Sequence, residues 1–357
     1  MRIAVDVSPL SHPRTGIGNY LRGMMAGLTA AAGARHEIVA FAPVSRSGTA
    51  LVRAALEGMP VELRLVDLPL AHSWRVLWSR LGAPAIERFL GSLDVLHFSD
   101  WMFPPQRAGV RATTVHDLIP LRFPDWVEGR TRRMHVPKYR NAARSCHLVF
   151  VNSEFTGEEV RTRLGVETDR IRVAYPAVDP RFSPAGLQTD LGSPYVLFVG
   201  THEPRKNLET LLAAFGRVRR ARPDLQLAVA GTDGPAQEGV NWLGYVEDEE
   251  LAALYRGASV FAYPSLFEGF GLPIVEAMAS GTPTVASAHE SLDEAAGNAA
   301  LRADPRDTDA LAGAIEQALQ EPEPLVTRGL RHAAAFTPER CGEAVLSGYE
   351  AAFERRA

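Results

Sequence analysis

The chain has 357 residues, 46% of them hydrophobic, with 42 acidic and 38 basic side chains and a formal net charge of −4. That length is too great for one typical core and suits two α/β domains. The charge balance gives no general pull toward nucleic acid, and no apolar run of the ~18 residues needed to span a bilayer occurs.

Cys146 and Cys341 are far apart and lack CxxC spacing, so neither a zinc site nor a disulfide framework is indicated. Met1–Leu10 alternates like a strand without the apolar centre of a signal peptide. A reduced cytoplasmic setting is the simplest expectation.

Arg2–Val7 reads as the first strand and Asn19–Ala32 as the first helix, joined by SPLSHPRTGIGNY with Gly16 and Gly18. A third glycine of the dinucleotide fingerprint would fall at Leu21, and the loop is too long, so a nicotinamide-dependent dehydrogenase fits poorly. Further strands are predicted at Glu37–Ala42, Val61–Val66, Asp94–Phe98, Ala112–Val115 and His147–Asn152, alternating with helical stretches. That rhythm predicts a parallel sheet covered on both faces. His116 and Asp117 directly follow one strand and His97 ends another. The carboxyl end of a parallel strand is where ligands bind, although a histidine there is as readily a packing residue.

Trp74 and Trp78 stand one helical turn apart beside Arg75 and Arg80, as in an interfacial amphipathic helix. Arg130, Arg132, Arg133, Lys138, Arg140 and Arg144 form a basic stretch. Core packing for the tryptophans and a solvated face for the cations are the commoner arrangements, and a membrane contact stays open beside them.

Tyr175–Pro184 contains three prolines and no periodicity, and reads as an interdomain linker; Tyr195–Gly200 then opens the second half as a strand. In the following THEPRKN, Arg205 and Lys206 stand just before a helix predicted over Leu208–Arg220. Cations at a helix start oppose its dipole and want an anion. A diphosphate would supply one, each charge-assisted bond contributing about 1.5–3 kcal/mol. Leu225–Gly231 is another strand ending in glycine, and Asn241–Val246 precedes an acidic helix start. Asp307-Thr308-Asp309 has the form of a metal-binding Asp-x-Asp, but it directly precedes the helix ALAGAIEQAL, so a helix cap is expected and no metal site.

Ala258–Ser287 is the most informative stretch. Val260–Tyr263 reads as a buried strand, Pro264–Leu272 as a loop with Gly269 and Gly271, and Pro273–Ser280 as a helix, with Glu268 in the loop and Glu276 in the first helical turn. The segment EGFGLPIVE resembles the Glu-x7-Glu signature of the retaining GT-B glycosyltransferases of family four, and the order of the other motifs along nearly the whole chain is similar to that family.

The resemblance implies an α/β protein with two Rossmann-like domains facing a cleft. They are placed at residues 1–178 on the acceptor side and 179–340 on the donor side, with a last helix in 341–357 that packs back on the first domain. It implies a catalytic group of His116, Glu268, Arg205 and Lys206, and donor contacts from Gly16, Thr201, Gly231, Val246, Gly269, Phe270, Gly271, Leu272 and Glu276. Some relatives carry arginine where this chain has Thr201, which leaves the phosphate charge to Arg205 and Lys206.

The expected partners are a nucleoside diphosphate sugar, with GDP-mannose favoured from the EPRKN segment, and a saccharide or lipid-linked acceptor. No cofactor is implied. The expected location is cytoplasmic, with peripheral contact at the inner face of the cell membrane as an option. A sugar phosphorylase or epimerase on the same scaffold, and a non-catalytic nucleotide-binding subunit, are the alternatives.

Overall fold

The computed structural model describes residues 1–12, 15–98 and 101–356. Pro13 and Arg14, which belong to the predicted SPLSHPRTGIGNY loop, lie outside the described residues. Contacts group the chain into two compact units, Met1–Ala177 with Thr337–Ala357, and Val178–Phe336.

Unit one is built on strands β1 (Arg2–Asp6), β2 (Glu37–Val44), β3 (Glu62–Asp67), β4 (Val95–Phe98), β5 (Val110–Val115), β6 (Leu148–Val151) and β7 (Ile171–Val173). They lie in the order β3-β2-β1-β4-β5-β6-β7, every pair parallel. Central strands such as β4 and β5 are buried along their whole length, and the polar His97 and Arg111 within them are buried with the rest.

The first helix spans Gly16–Ala32, so Gly16 and Gly18 belong to its first turn and not to the preceding loop. Its true start is signalled by Thr15, whose hydroxyl accepts from the Gly18 N–H at 3.2 Å. The last helix, Pro338–Glu354, lies against it with the backbones in contact. A Cβ built on Gly27 would sit 1.7 Å from the Pro338 carbonyl oxygen, and one on Gly342 would sit 1.9 Å from the Gly27 carbonyl carbon. Gly27→Ala is therefore expected to cost about 3 kcal/mol, the upper range of overpacking, because the obstacle is backbone and cannot rotate away. Chemical denaturation against the wild type measures it.

Unit two is a second parallel sheet of β8 (Tyr195–Val199), β9 (Gln226–Ala230), β10 (Val240–Gly244), β11 (Val260–Tyr263), β12 (Thr284–Ser287) and β13 (Leu301–Ala303), in the order β10-β9-β8-β11-β12-β13. The strand order reverses between β8 and β11, which creates the crevice where open α/β sheets bind ligands. The predicted linker is only partly one. From Val178 onward it is fastened to unit two, with Phe182 buried and Arg181 paired with Asp248 at 3.2 Å and Glu249 at 2.6 Å.

Candidate active site

The chain leaves β8 through Gly200 into Thr201–Lys206, and leaves β11 through Pro264 into Glu268. Both segments start at the carboxyl ends of the two strands that flank the reversal, so the sheet topology itself brings the two sequence constellations together. A backbone bond from Leu266 N–H to the Arg205 carbonyl, 2.7 Å, ties them. Asn207, at φ +57°, adds side-chain bonds to the carbonyls of Pro264 at 3.1 Å and Pro305 at 2.6 Å.

At the junction lies the carboxylate of Glu268, which is 8% exposed. Arg205 Nη1 donates to one oxygen at 2.7 Å. Lys206 Nζ at 2.7 Å, Tyr263 Oη at 2.8 Å and Ser265 Oγ at 2.9 Å donate to the other. The Glu268 N–H is held by Ser291 Oγ at 3.1 Å. Burial alone would raise this carboxyl, but the neighbouring Lys206 and Arg205 charges and the hydrogen bonds outweigh it and hold the group down at about 2. Burial pulls the Lys206 ammonium below its ordinary range, against the pull of Glu268. The carboxylate is the better stabilised partner, because it gathers two cations and two hydroxyls. Lys206 also donates to Tyr263 Oη.

Sequence reasoning did not single out Tyr263, Ser265 or Glu203. Glu203 accepts from Arg205 Nε at 2.7 Å and from Thr201 Oγ1 at 2.6 Å, so Thr201 reaches the cluster through it. Arg205 and Lys206 are thus balanced by Glu203 and Glu268. An incoming anion must displace Glu203, the more exposed of the two acids, or use the N–H bonds left over on an ammonium with three and a guanidinium with five.

Beyond Glu268 the loop enters the helix Leu272–Ala279 at Gly271, whose φ of +102° and close approach to Leu292 exclude a side chain. Glu276 lies in the second turn, not the first, and therefore does not complement the helix dipole. It is 5% exposed and accepts from Tyr255 Oη at 3.4 Å. The Phe270 ring is core, edge-on to Phe336, so only its backbone is available to a ligand. Leu272 and Val246 also pack at the margin of the core. Gly231 lies against Gly200, where a Cβ would meet the Gly200 carbonyl oxygen at 2.9 Å. Asp307 caps the helix Thr308–Gln320 through bonds from the Asp309 and Ala310 N–H groups, and Asp309 pairs with Arg217.

In unit one, His116 follows β5 and meets the ring of Tyr20 edge-on at 4.8 Å, close to the helix that Gly16 begins. Burial, with the Lys138 ammonium nearby, pulls its imidazole well below the ordinary range, so it is neutral at physiological pH. His97, the other strand-end histidine, is a core residue. It is bonded to Tyr349 Oη at 2.5 Å and Thr114 Oγ1 at 2.9 Å, and stacked on Phe150.

Residues 14–182 match Glycosyltransferase Family 4 and residues 181–331 match Glycosyl transferases group 1. The O-antigen chain mannosyltransferase B of Escherichia coli is 30% identical over 98% of this chain and 100% of its own length. A glycosyltransferase from Rickettsia africae superimposes with a TM-score of 0.70 at 16% identity over 98% of both chains. HepE of Anabaena, solved in complex with UDP and glucose, superimposes with a TM-score of 0.66 at 15% identity over 97% of this chain and 98% of that one. The two-sheet architecture is the GT-B fold. The chain belongs to the glycosyltransferases whose N-terminal half is of the family 4 type and whose C-terminal half is of the group 1 type.

Proposed function

We propose that the protein transfers a hexose, with mannose favoured, from a nucleoside diphosphate sugar to an acceptor hydroxyl with retention of configuration. The observation that carries this is the convergence of Arg205, Lys206 and Glu268 at the β8–β11 reversal, beside the glycine-shaped entry to the helix that holds Glu276. Arg205 and Lys206 stabilise the departing diphosphate, Glu268 and the N–H groups of Gly269–Leu272 hold sugar hydroxyls, and Glu276 accepts from the ribose diol. The same reading assigns Gly16, Thr201, Gly231 and Val246 to the donor and His116, as a neutral imidazole, to the transferred sugar.

Attack comes from the face the diphosphate leaves, and the departing phosphate oxygen takes the acceptor proton, so no protein base is required. Phosphate charge is met by side chains and N–H groups without a metal. GDP-mannose is the favoured donor, supported by the mannosyltransferase relative, and the place of action is the cytoplasm, in polysaccharide, lipopolysaccharide or glycolipid assembly.

Incubation with GDP-mannose and methyl α-mannoside, followed by proton NMR, tests this. An α-linked product with release of GDP, unchanged by a metal chelator, is expected. A β-linked product, or turnover that requires inorganic phosphate in place of an acceptor, overturns the reading.

A further inference from the structure

Two carboxylates meet Arg205, and they are held very differently. Glu268 is 8% exposed and accepts from Arg205, Lys206, Tyr263 and Ser265, so a ligand cannot move it without undoing a buried cluster. Glu203 accepts from Arg205 Nε at 2.7 Å and Thr201 Oγ1 at 2.6 Å, and its side chain is 40% exposed. A half-exposed ion pair of this kind exchanges into water at small cost.

The two acids also take different edges of the guanidinium. A guanidinium offers its N–H groups as planar forks that match a phosphate, one of them formed by Nε with Nη2. Glu268 occupies Nη1, so the Nε–Nη2 edge is the fork that a phosphate can take while Glu268 keeps its bond. Glu203 sits on that edge. The backbone puts it there. Glu203 directly precedes the turn Pro204–Lys206, a position from which an acid commonly caps the following N–H groups, yet its side chain makes no cap. Its own N–H is bonded to the Thr201 carbonyl at 2.8 Å, and its carbonyl accepts from the Lys206 N–H at 2.9 Å, which folds the segment so that the carboxylate lies over Arg205.

We propose that Glu203 is an exchangeable counter-ion that holds the place of a phosphate group on Arg205. It swings to solvent when the nucleoside diphosphate enters and returns when the spent diphosphate leaves. In the empty site it keeps Arg205 paired and its Nε edge facing the ligand. At the exchange Thr201 Oγ1 loses its acceptor and can turn its proton to the incoming phosphate. Competition from Glu203 weakens the hold on any diphosphate, which limits blockage of the site by its own product. The role is one of positioning, exerted through Arg205, and it rests on the reading of Arg205 as a diphosphate ligand.

Isothermal titration of the full chain with GDP, and with inorganic pyrophosphate as a probe that carries no base, tests it. Glu203→Gln and Glu203→Ala are each expected to bind both probes about fivefold more tightly than the wild type, the upper range for a partly exposed ion pair. Glu203→Asp, which keeps the charge, is expected to stay within about twofold of the wild type. In transfer assays with GDP-mannose, the inhibition constant of GDP is expected to fall by the same factor in Glu203→Gln while kcat does not rise. Tightening is the discriminating result, because a residue that merely braced the loop would weaken binding when removed. A wild type that binds the probes while Glu203→Gln binds them equally or less tightly overturns the exchange and leaves the diphosphate site standing. A folded wild type that binds neither probe overturns both.

Discussion

Lys206→Met is expected to lower the rate of sugar transfer by about 10²–10³-fold while leaving the protein folded. Lys206 is 7% exposed and directs its hydrogen bonds to Glu268 and Tyr263, where the proposed reaction places the charge of the leaving diphosphate. Removing one donor from such a preorganised site costs about 2.7–4 kcal/mol of transition-state stabilisation. Because the interaction strengthens as the bond breaks, kcat falls and KM moves little. The structural cost stays below the about 3–5 kcal/mol of an orphaned buried charge, because Arg205, Tyr263 and Ser265 still hold Glu268 and methionine fills the space of the lysine stem. Steady-state kinetics with GDP-mannose, together with a melting curve, separates the two effects. A rate within threefold of wild type would remove Lys206 from the chemistry.

Glu268→Gln has its largest effect on stability, and that effect depends on pH. The folded carboxyl titrates at about 2, below its ordinary value of 4.5. A depressed folded value means that the stabilisation is complete above pH 4.5 and is lost as pH falls toward 2. The gap corresponds to about 3 kcal/mol, at about 1.4 kcal/mol for each tenfold change in proton affinity. Urea unfolding of wild type and Glu268→Gln at pH 7 and pH 3 is expected to show the difference between them narrowing by about 2 kcal/mol at the lower pH. A difference that stays constant would mean that the carboxylate is not held ionised by its neighbours.

The heart of the site was legible because the chain punctuates it. Gly271 is needed at φ +102°, Pro273 stands at the second helical position and Gly281 stops the helix at φ +79°. The strand, loop and helix around Glu268 therefore follow from residue type alone. Tyr263 and Ser265 were not legible as ligands of Glu268, since a strand-end tyrosine and a loop serine are common, and their role appears only when Lys206, 57 residues earlier than Tyr263, folds onto them.

The two strand-end histidines read alike. What separates them is a tyrosine 252 residues from His97 that arrives on the last helix and satisfies that ring. Spacing put Trp74 and Trp78 on one helical face, yet Trp78 packs against Phe41 while Trp74 faces solvent, and the burial of Arg75 between them has no sequence signal. In the basic stretch, Arg130, Arg132, Arg133, Arg140 and Arg144 are exposed as expected of a solvated face, while Lys138 is buried and bonds the Thr114 carbonyl. Strands β7 and β13 are three residues each, too short to display any alternation.

Thermal unfolding with GDP, UDP, dTDP and ADP, on wild type and Arg205→Ala side by side, tests the proposed donor site most directly. At 100 times its dissociation constant a bound nucleotide adds about 2.7 kcal/mol of stability. GDP is expected to raise the melting temperature of the wild type more than the other nucleotides do, and Arg205→Ala is expected to lose the shift. A folded wild type that no nucleotide stabilises would contradict it.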